Sequence, residues 1–359
     1  MIELKVKLQE RSYPIFLTDS YTGIGKLISD LCIEGKIAII TDQNVNKHQA
    51  DAFINNMNLK GYQIEKYIIE GGEKSKSLDT VNNIYDFLLN AKFDRDSTII
   101  ALGGGVVGDV AGYAAATFLR GIRLIQVPTS LLAQVDSSVG GKVGVNLRGI
   151  KNAIGAFYQP HMVYINTGSL VTLPKRELKA GLAEILVHAI IADPELLDYI
   201  ENNITRIYSL DKDTLNRIIV INNRIKCRII ELDEREKGLR AILNFGHTIG
   251  HAVESIYNTK LLHGECVSIG IVGAFMIACH LGMVDKYLVE RIKNLLRKIE
   301  LPINLYGMDI NEVYNKMTYD KKNRNGELVF ILPKAIGEVV KCSIQDKSII
   351  KMVLHELSS

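Results

Sequence analysis

Between Asn244 and Glu265 the chain reads NFGHTIGHAVESIYNTKLLHGE, a stretch that holds three of its eight histidines. His247 and His251 are four apart, so a helix carries both imidazoles on one face, one turn from each other. His263 follows after a short polar break. Imidazole is the commonest metal ligand, and two of them at this spacing can fill two coordination positions without backbone strain. A lone histidine is more often a hydrogen-bonded core or surface residue. The set of His188, His247, His251 and His263, with Glu184 in a separate apolar helix, reads instead as a candidate metal centre. Glu184 sits in GLAEILVHAII, where an unpaired carboxylate is costly and a metal or other cation would offset that cost; backbone donors are the alternative.

A second constellation lies earlier. The apolar run Ser97–Leu102 enters Gly103-Gly-Gly-Val-Val-Gly108-Asp109 and then a helix of small residues. Gly103, Gly105 and Gly108 satisfy G-x-G-x-x-G between a strand and a helix, where bare backbone can approach a pyrophosphate at the helix N-terminus. A tight strand–helix turn would also select glycine. The acid expected about 20 residues downstream for the ribose is missing, because the next strand reads Arg123-Leu-Ile-Gln126. Asp42, ending an earlier strand, can serve in a variant nucleotide fold. Thr129, Ser130, Lys142 and Lys151 follow in Gly/Ser-rich segments without helical or strand period, which read as functional loop. Lys226, Arg240 and Asn244 add polar groups ahead of the histidines. Glu236 and Arg240, four apart, equally fit an ordinary ion pair. Asp320-Lys-Lys-Asn323 adds cations in what is most often a solvated turn.

The elements that must position these groups change character along the chain. Residues 2–8 and 12–17 read as paired strands. Lys36–Asp42, 63–69 and Ser97–Leu102 read as strands alternating with helices near 46–57 and 78–91, the punctuation of a mostly parallel sheet covered by helices. From Pro174 the pattern is helical: 176–192, 194–203, 213–231, 244–257, 266–281, 285–299 and 309–318. A strand pair near 327–332 and 338–343 and a terminal helix close the chain. The fold class is therefore α/β: a Rossmann-like domain carrying the candidate dinucleotide loop over residues 1–172 and a mainly helical domain carrying the candidate metal centre over 173–359.

Composition narrows the class further. At 359 residues two cores are the default. With 43 basic and 40 acidic residues, no broad basic face for nucleic acid or a membrane surface is expected. Five scattered cysteines without a C-x-x-C suit free thiols in a reducing cytoplasm. The N-terminus carries charge from residue 3 and does not read as a signal peptide. Cys266–Val284 is apolar enough to resemble a membrane span, but its glycines, His280 and its place beside the histidines favour a buried core helix.

Taken together, GGGVVGDVAGYAAATFLRG, QVPTSLLAQVDSSVGGKVGVN, KNAIGAFYQP, LDEREKGLRAILNFGHTIGHAVE and LLHGE, in this order and spacing, resemble the dehydroquinate synthase family of sugar-phosphate cyclases. The resemblance covers about residues 36 to 340. It implies NAD and one divalent metal, zinc or cobalt, in a cleft between an α/β and a helical domain. The metal ligands it implies are Glu184, His247 and His263, which leaves His251 on the phosphate side of the substrate. The implied NAD site draws on Asp42, Glu73, Lys76, Gly104, Gly105, Asp109, Thr129, Ser130, Lys142, Lys151 and Thr172. The implied substrate site draws on Asp136, Lys142, Asn152, Lys226, Arg240, Asn244, His251 and a lysine of the Lys321-Lys322 pair. Arg120 resembles an arginine that crosses to the neighbouring subunit's site, which implies a homodimer.

The implied activity is that of a carbon–oxygen lyase acting on a phosphate, 3-deoxy-D-arabino-heptulosonate 7-phosphate, on the route to aromatic amino acids. The fold is shared with metal-dependent polyol dehydrogenases, in which the glycine loop recurs but VDSSVGGK and LNFGHT do not. Those dehydrogenases, another cyclase and a non-catalytic NAD- and metal-binding relative are the competing expectations. One departure stands out: Val187 occupies the place of a family lysine, for which Lys226 or His188 is expected to compensate.

Overall fold

The structure, a computed structural model, describes residues 1–31, 35–57, 62–257, 260–305, 307–319 and 328–359. It comprises two compact units, Met1–Pro174 with Leu210–Arg235, and Lys175–Ser209 with Glu236–Ser359.

In the first unit the strands are β1 (Ile2–Val6), β2 (Tyr13–Thr18), β3 (Ile37–Asp42), β4 (Ile64–Ile69), β5 (Thr98–Gly103), β6 (Arg123–Pro128), β7 (Lys142–Leu147), β8 (Ile150–Phe157) and β9 (Met162–Asn166). Its helices are α1 (Ile24–Asp30), α2 (Gln43–Val45), α3 (Asp51–Met57), α4 (Leu78–Asn90), α5 (Gly105–Thr117) and, later in the chain, α8 (Lys212–Leu232). Among the described residues, seven strands form one sheet in the order β1-β2-β9-β6-β5-β3-β4. Only the β1–β2 pair is antiparallel. The unbroken apolar runs of β3 and β5 follow from burial on both faces. Ile40, Ile99 and Leu124 pack with Val107 and Val110 of α5, while Ile39, Ile100 and Tyr164 pack with Ile24 and Phe53 on another core.

Three features differ from the sequence reading. The stretch read as loop through Lys142 and Lys151 contains the antiparallel hairpin β7–β8. Gly144 and Gly155 face each other across it, and β8 has an exposed or half-buried side chain at every position, so no apolar alternation marks the strand. β9 enters the sheet between β2 and β6 although only five residues long. Finally, α8 belongs with the first unit and not with the helical domain assigned to 173–359. Its Asn222 and Asn223 are fully buried, donating to the Val135 and Gln134 carbonyls at 2.7 and 3.0 Å. Buried amides need such partners, and these tie the helix down.

The second unit contains α6 (Lys175–Ala192), α7 (Pro194–Tyr208), α9 (His247–Tyr257), α10 (His263–His280), α11 (Lys286–Lys298), α12 (Ile310–Tyr319) and α13 (Lys347–Ser358), with the hairpin β10 (Leu328–Ala335) and β11 (Glu338–Ile344). The segment that resembles a membrane span forms α10. It is long and apolar enough to cross a bilayer, yet 78% of it is buried inside the protein, as a core helix requires. Among the described cysteines, Cys227, Cys266, Cys279 and Cys342 are not joined in disulfides.

Candidate active site

In the second unit, three helices deliver one ligand-type side chain each. Glu184 lies mid-way along α6, while His247 and His263 are the first residues of α9 and α10. The donor atoms of the three lie within 4.8 Å of one another. The two Nε2 atoms approach the same carboxylate oxygen, Glu184 Oε1, at 3.5 Å from His247 and 3.3 Å from His263. Two ligands bound tetrahedrally at about 2.1 Å from a zinc-type ion stand about 3.4 Å apart, so the spacing suits a shared cation.

The remaining ring nitrogens support the same assignment. His247 Nδ1 lies 3.0 Å from the Phe245 carbonyl, which only accepts, so Nδ1 carries a proton and Nε2 is the nitrogen left for a cation. His263 Nδ1 lies 3.3 Å from Glu254 Oε2. Burial works against charge on His263, but its hydrogen bonds to Glu184 and Glu254 outweigh that and raise its pKa to about 10. A pocket with two carboxylates around imidazoles attracts positive charge. The donor set is therefore chemically fit for a divalent metal, with three protein ligands as an open catalytic site needs.

Helix packing sets these distances. A methyl group on Gly264 would stand 2.0 Å from the carbonyl oxygen of Ala180, one turn before Glu184. Hydrogen in place of a side chain lets α10 touch α6 beside His263. Gly270 plays the same part against α9, where a methyl would meet the Gly246 carbonyl at 1.8 Å. A fork clamps the other side: Arg176 of α6 donates through Nε and a terminal nitrogen to the two carboxylate oxygens of Glu265, at 2.7 Å each. Glu265 also accepts the Leu262 N–H at 2.8 Å, capping α10 just ahead of His263.

His251 sits one turn after His247, its ring centroid 5.0 Å from that of His247 and 6.0 Å from that of His263. With Glu254 and His263 it makes a second group whose donor atoms lie within 4.8 Å of one another. Arg240 is buried, and Asn244 donates to Glu236 Oε1 at 2.5 Å. Val187 is fully buried in α6, a packed side chain where the family resemblance implies a cation.

The first unit collects the remaining residues around the glycine loop. Gly104 caps α5, and a methyl on Gly108 would meet Gln126 Oε1 at 2.9 Å, so this glycine serves helix–sheet packing. Lys76 is buried and ion-paired with Asp109, whose carboxyl burial pushes up against the opposing pull of that lysine. The Lys76 carbonyl accepts from the Asn146 N–H at 2.9 Å, Asn146 Nδ2 donates to Glu73 at 2.8 Å, and Asn146 Oδ1 accepts from the Asn152 N–H at 2.9 Å. The β7–β8 hairpin thus joins the Glu73–Lys76 turn to Asn152, itself at φ 51°. Lys226 of α8 is buried, donating to the Asp136 carbonyl at 2.6 Å and pairing with its carboxylate.

Asp42 Oδ1 accepts from the Asn44 and Val45 N–H groups at the end of β3. Thr129 is buried, its N–H bonded to the Gly103 carbonyl at 3.0 Å, and Ser130 Oγ lies 3.4 Å from where a Gly104 methyl would stand. A methyl on Gly105 would lie 3.1 Å from Ser137 Oγ. Thr172 Oγ1 accepts from Gln49 at 2.8 Å. Lys142 is exposed at the start of β7, and Lys151 is half-buried on β8. Arg120 is exposed at φ 71°, directly after Leu119 at φ 50°, two consecutive strained residues. Lys321 and Lys322 lie outside the described residues. Four residues with a part here were not singled out by the sequence reading: Asn146, Arg176, Glu254 and the clamp role of Glu265. Only the Leu262–Glu265 cap carries a sequence signal, an acid three residues into a helix.

Residues 66–180 match the family profile described as 3-dehydroquinate synthase N-terminal, and residues 181–323 the one described as 3-dehydroquinate synthase C-terminal. A 3-dehydroquinate synthase of Acetivibrio thermocellus is 54% identical over 358 residues, covering 99% of each chain. Among solved structures, 2-epi-5-epi-valiolone synthase from Streptomyces hygroscopicus subsp. jinggangensis, with NAD⁺ and Zn²⁺ bound, superposes with a TM-score of 0.91 at 25% identity, covering 98% of both chains. A 2-deoxy-scyllo-inosose synthase complexed with carbaglucose-6-phosphate, NAD⁺ and Co²⁺ gives a TM-score of 0.87 at 26% identity, covering 99% of both.

Proposed function

Because this chain belongs to the 3-dehydroquinate synthase family, we propose that it converts 3-deoxy-D-arabino-heptulosonate 7-phosphate to 3-dehydroquinate and phosphate. The observation that carries the reading is full-length identity of 54% to a protein of that name, against 25–26% for cyclases of other names. The reaction consists of oxidation of one substrate hydroxyl, phosphate elimination, re-reduction, ring opening and an intramolecular aldol closure. NAD, when bound, supplies a reversible hydride acceptor, and a divalent ion such as zinc or cobalt supplies Lewis acidity at the hydroxyl.

The chain's own residues hold, orient and neutralise. On the second unit, Glu184, His247 and His263 hold the ion, with both Nε2 lone pairs presented by the Nδ1 partners described above. Arg240 offers a planar fork to a carboxylate, and Asn244 and His251 bind substrate oxygens. On the first unit, Lys226 and Lys142 neutralise anionic groups, Asp136 keeps the Lys226 ammonium in place, and Asn152 binds a substrate hydroxyl. Asp42, Glu73, Lys76, Gly104, Gly105, Asp109, Thr129, Ser130, Lys151 and Thr172 take the nucleotide, with bare backbone at the glycines receiving the pyrophosphate at the N-terminus of α5. Lys226, already buried, compensates for Val187. The reading includes Lys321 or Lys322 at the substrate, a homodimer in which Arg120 reaches the neighbouring site, and a cytoplasmic location.

Phosphate release from the heptulosonate phosphate, followed with reduced-nicotinamide absorbance, tests the proposal. One phosphate per dehydroquinate is expected, without accumulation of NADH and with loss of turnover after chelation. Net NADH accumulation would make the protein a dehydrogenase and overturn the reading, as would no phosphate release from metal-replete protein.

A further inference from the structure

We propose that Glu254, on α9, is a positioning residue that fixes the tautomer and donor strength of His263. This deepens the reading of Glu184, His247 and His263 as ligands and rests on it. Glu254 is 8% exposed, and its Oε2 lies 3.3 Å from His263 Nδ1, while the opposite ring nitrogen, Nε2, lies 3.3 Å from Glu184 Oε1. The imidazole is thus held between two carboxylates, one on each nitrogen. A carboxylate accepts a hydrogen bond and cannot give one, so Glu254 keeps a proton on Nδ1, and the Nε2 proton facing Glu184 is the one a divalent ion would displace on taking that lone pair.

The two imidazoles are supported differently. His247 donates to a neutral carbonyl, that of Phe245, whereas His263 donates to an anion. An anionic acceptor draws the Nδ1 proton more strongly and makes Nε2 the better donor. His263 also starts α10, so its ring needs a second fixed point, and Glu254 on a neighbouring helix supplies one.

The competing arrangement has His251, Glu254 and His263 as ligands themselves, since their donor atoms also lie within 4.8 Å of one another. The two differ in which nitrogen of His263 meets the metal. The test uses the full chain: zinc dissociation constants of wild type, Glu254→Gln and Glu184→Gln by competition with a chromophoric chelator. Nitrogen NMR of the zinc-loaded wild type gives the His263 tautomer independently of how the variants fold.

Positioning predicts that E254Q weakens zinc binding by about 10- to 100-fold while one equivalent still binds. It predicts a much larger loss in E184Q, and Nδ1 protonated with Nε2 bound in the wild type. A loss below tenfold in E254Q, a loss equal to that of E184Q, or zinc on Nδ1 would overturn it. A wild-type chain that fails to bind one zinc would instead remove the ligand set itself, which separates the two failures.

Discussion

Glu184→Gln is expected to lower turnover by more than about a thousandfold, roughly 4 kcal/mol in the barrier, and to strip the protein of metal. Glu184 is the one anion of the proposed ligand set, is 2% exposed, and presents a single oxygen to both imidazole Nε2 atoms. Gln keeps the shape but offers a neutral oxygen and adds two N–H donors, which face a cation badly. Nucleotide affinity should stay within about twofold, because the glycine loop belongs to the other unit. Metal content by elemental analysis and phosphate release together check this. A variant retaining both zinc and a tenth of the turnover would mean that Glu184 is only a buried acid.

Gly264→Ala should act at a distance from the reacting atoms. Its new methyl would stand 2.0 Å from the Ala180 carbonyl oxygen, a backbone atom in mid-helix that cannot turn aside. The helices α6 and α10 must part, and with them Glu184 and His263. A shift of about 1 Å in such a constellation is enough for a loss of about a hundredfold in rate, and overpacking costs about 1–3 kcal/mol in stability. Zinc affinity should fall in step. Thermal unfolding with and without zinc checks this: the variant should show both a lower metal-free Tm and a smaller rise on adding zinc. A rise equal to that of the wild type would show that helix spacing does not govern the ligands.

Much of this site was legible because its signals are local. The i,i+4 pair His247 and His251, the acid buried in an apolar helix at Glu184, and glycines between the run 97–102 and a small-residue helix each need only one window of sequence. The buried strands β3 and β5 were legible for the same reason. What escaped was set by tertiary contact. The β7–β8 hairpin lacks alternation because glycines cross its centre and β8 is exposed or half-buried throughout. The helix α8 reads like its neighbours in sequence, and tertiary bonds such as those of Asn222 and Asn223 to 134–135 and of Lys226 to Asp136 assign it to the sheet-bearing unit. His251 and Glu254 lie on the same helix as His247, so spacing alone could not separate ligand from support. The ring nitrogens favour His247, since its Nε2 and that of His263 approach one oxygen of Glu184, while His251, Glu254 and His263 form a second group of donor atoms within 4.8 Å.

The most direct measurement is an anomalous difference map at the zinc edge from crystals of the zinc-loaded protein. One peak is expected within about 2.3 Å of a Glu184 carboxylate oxygen, His247 Nε2 and His263 Nε2. A peak on His263 Nδ1 among His251 and Glu254, or no peak at any of these residues, would contradict the account.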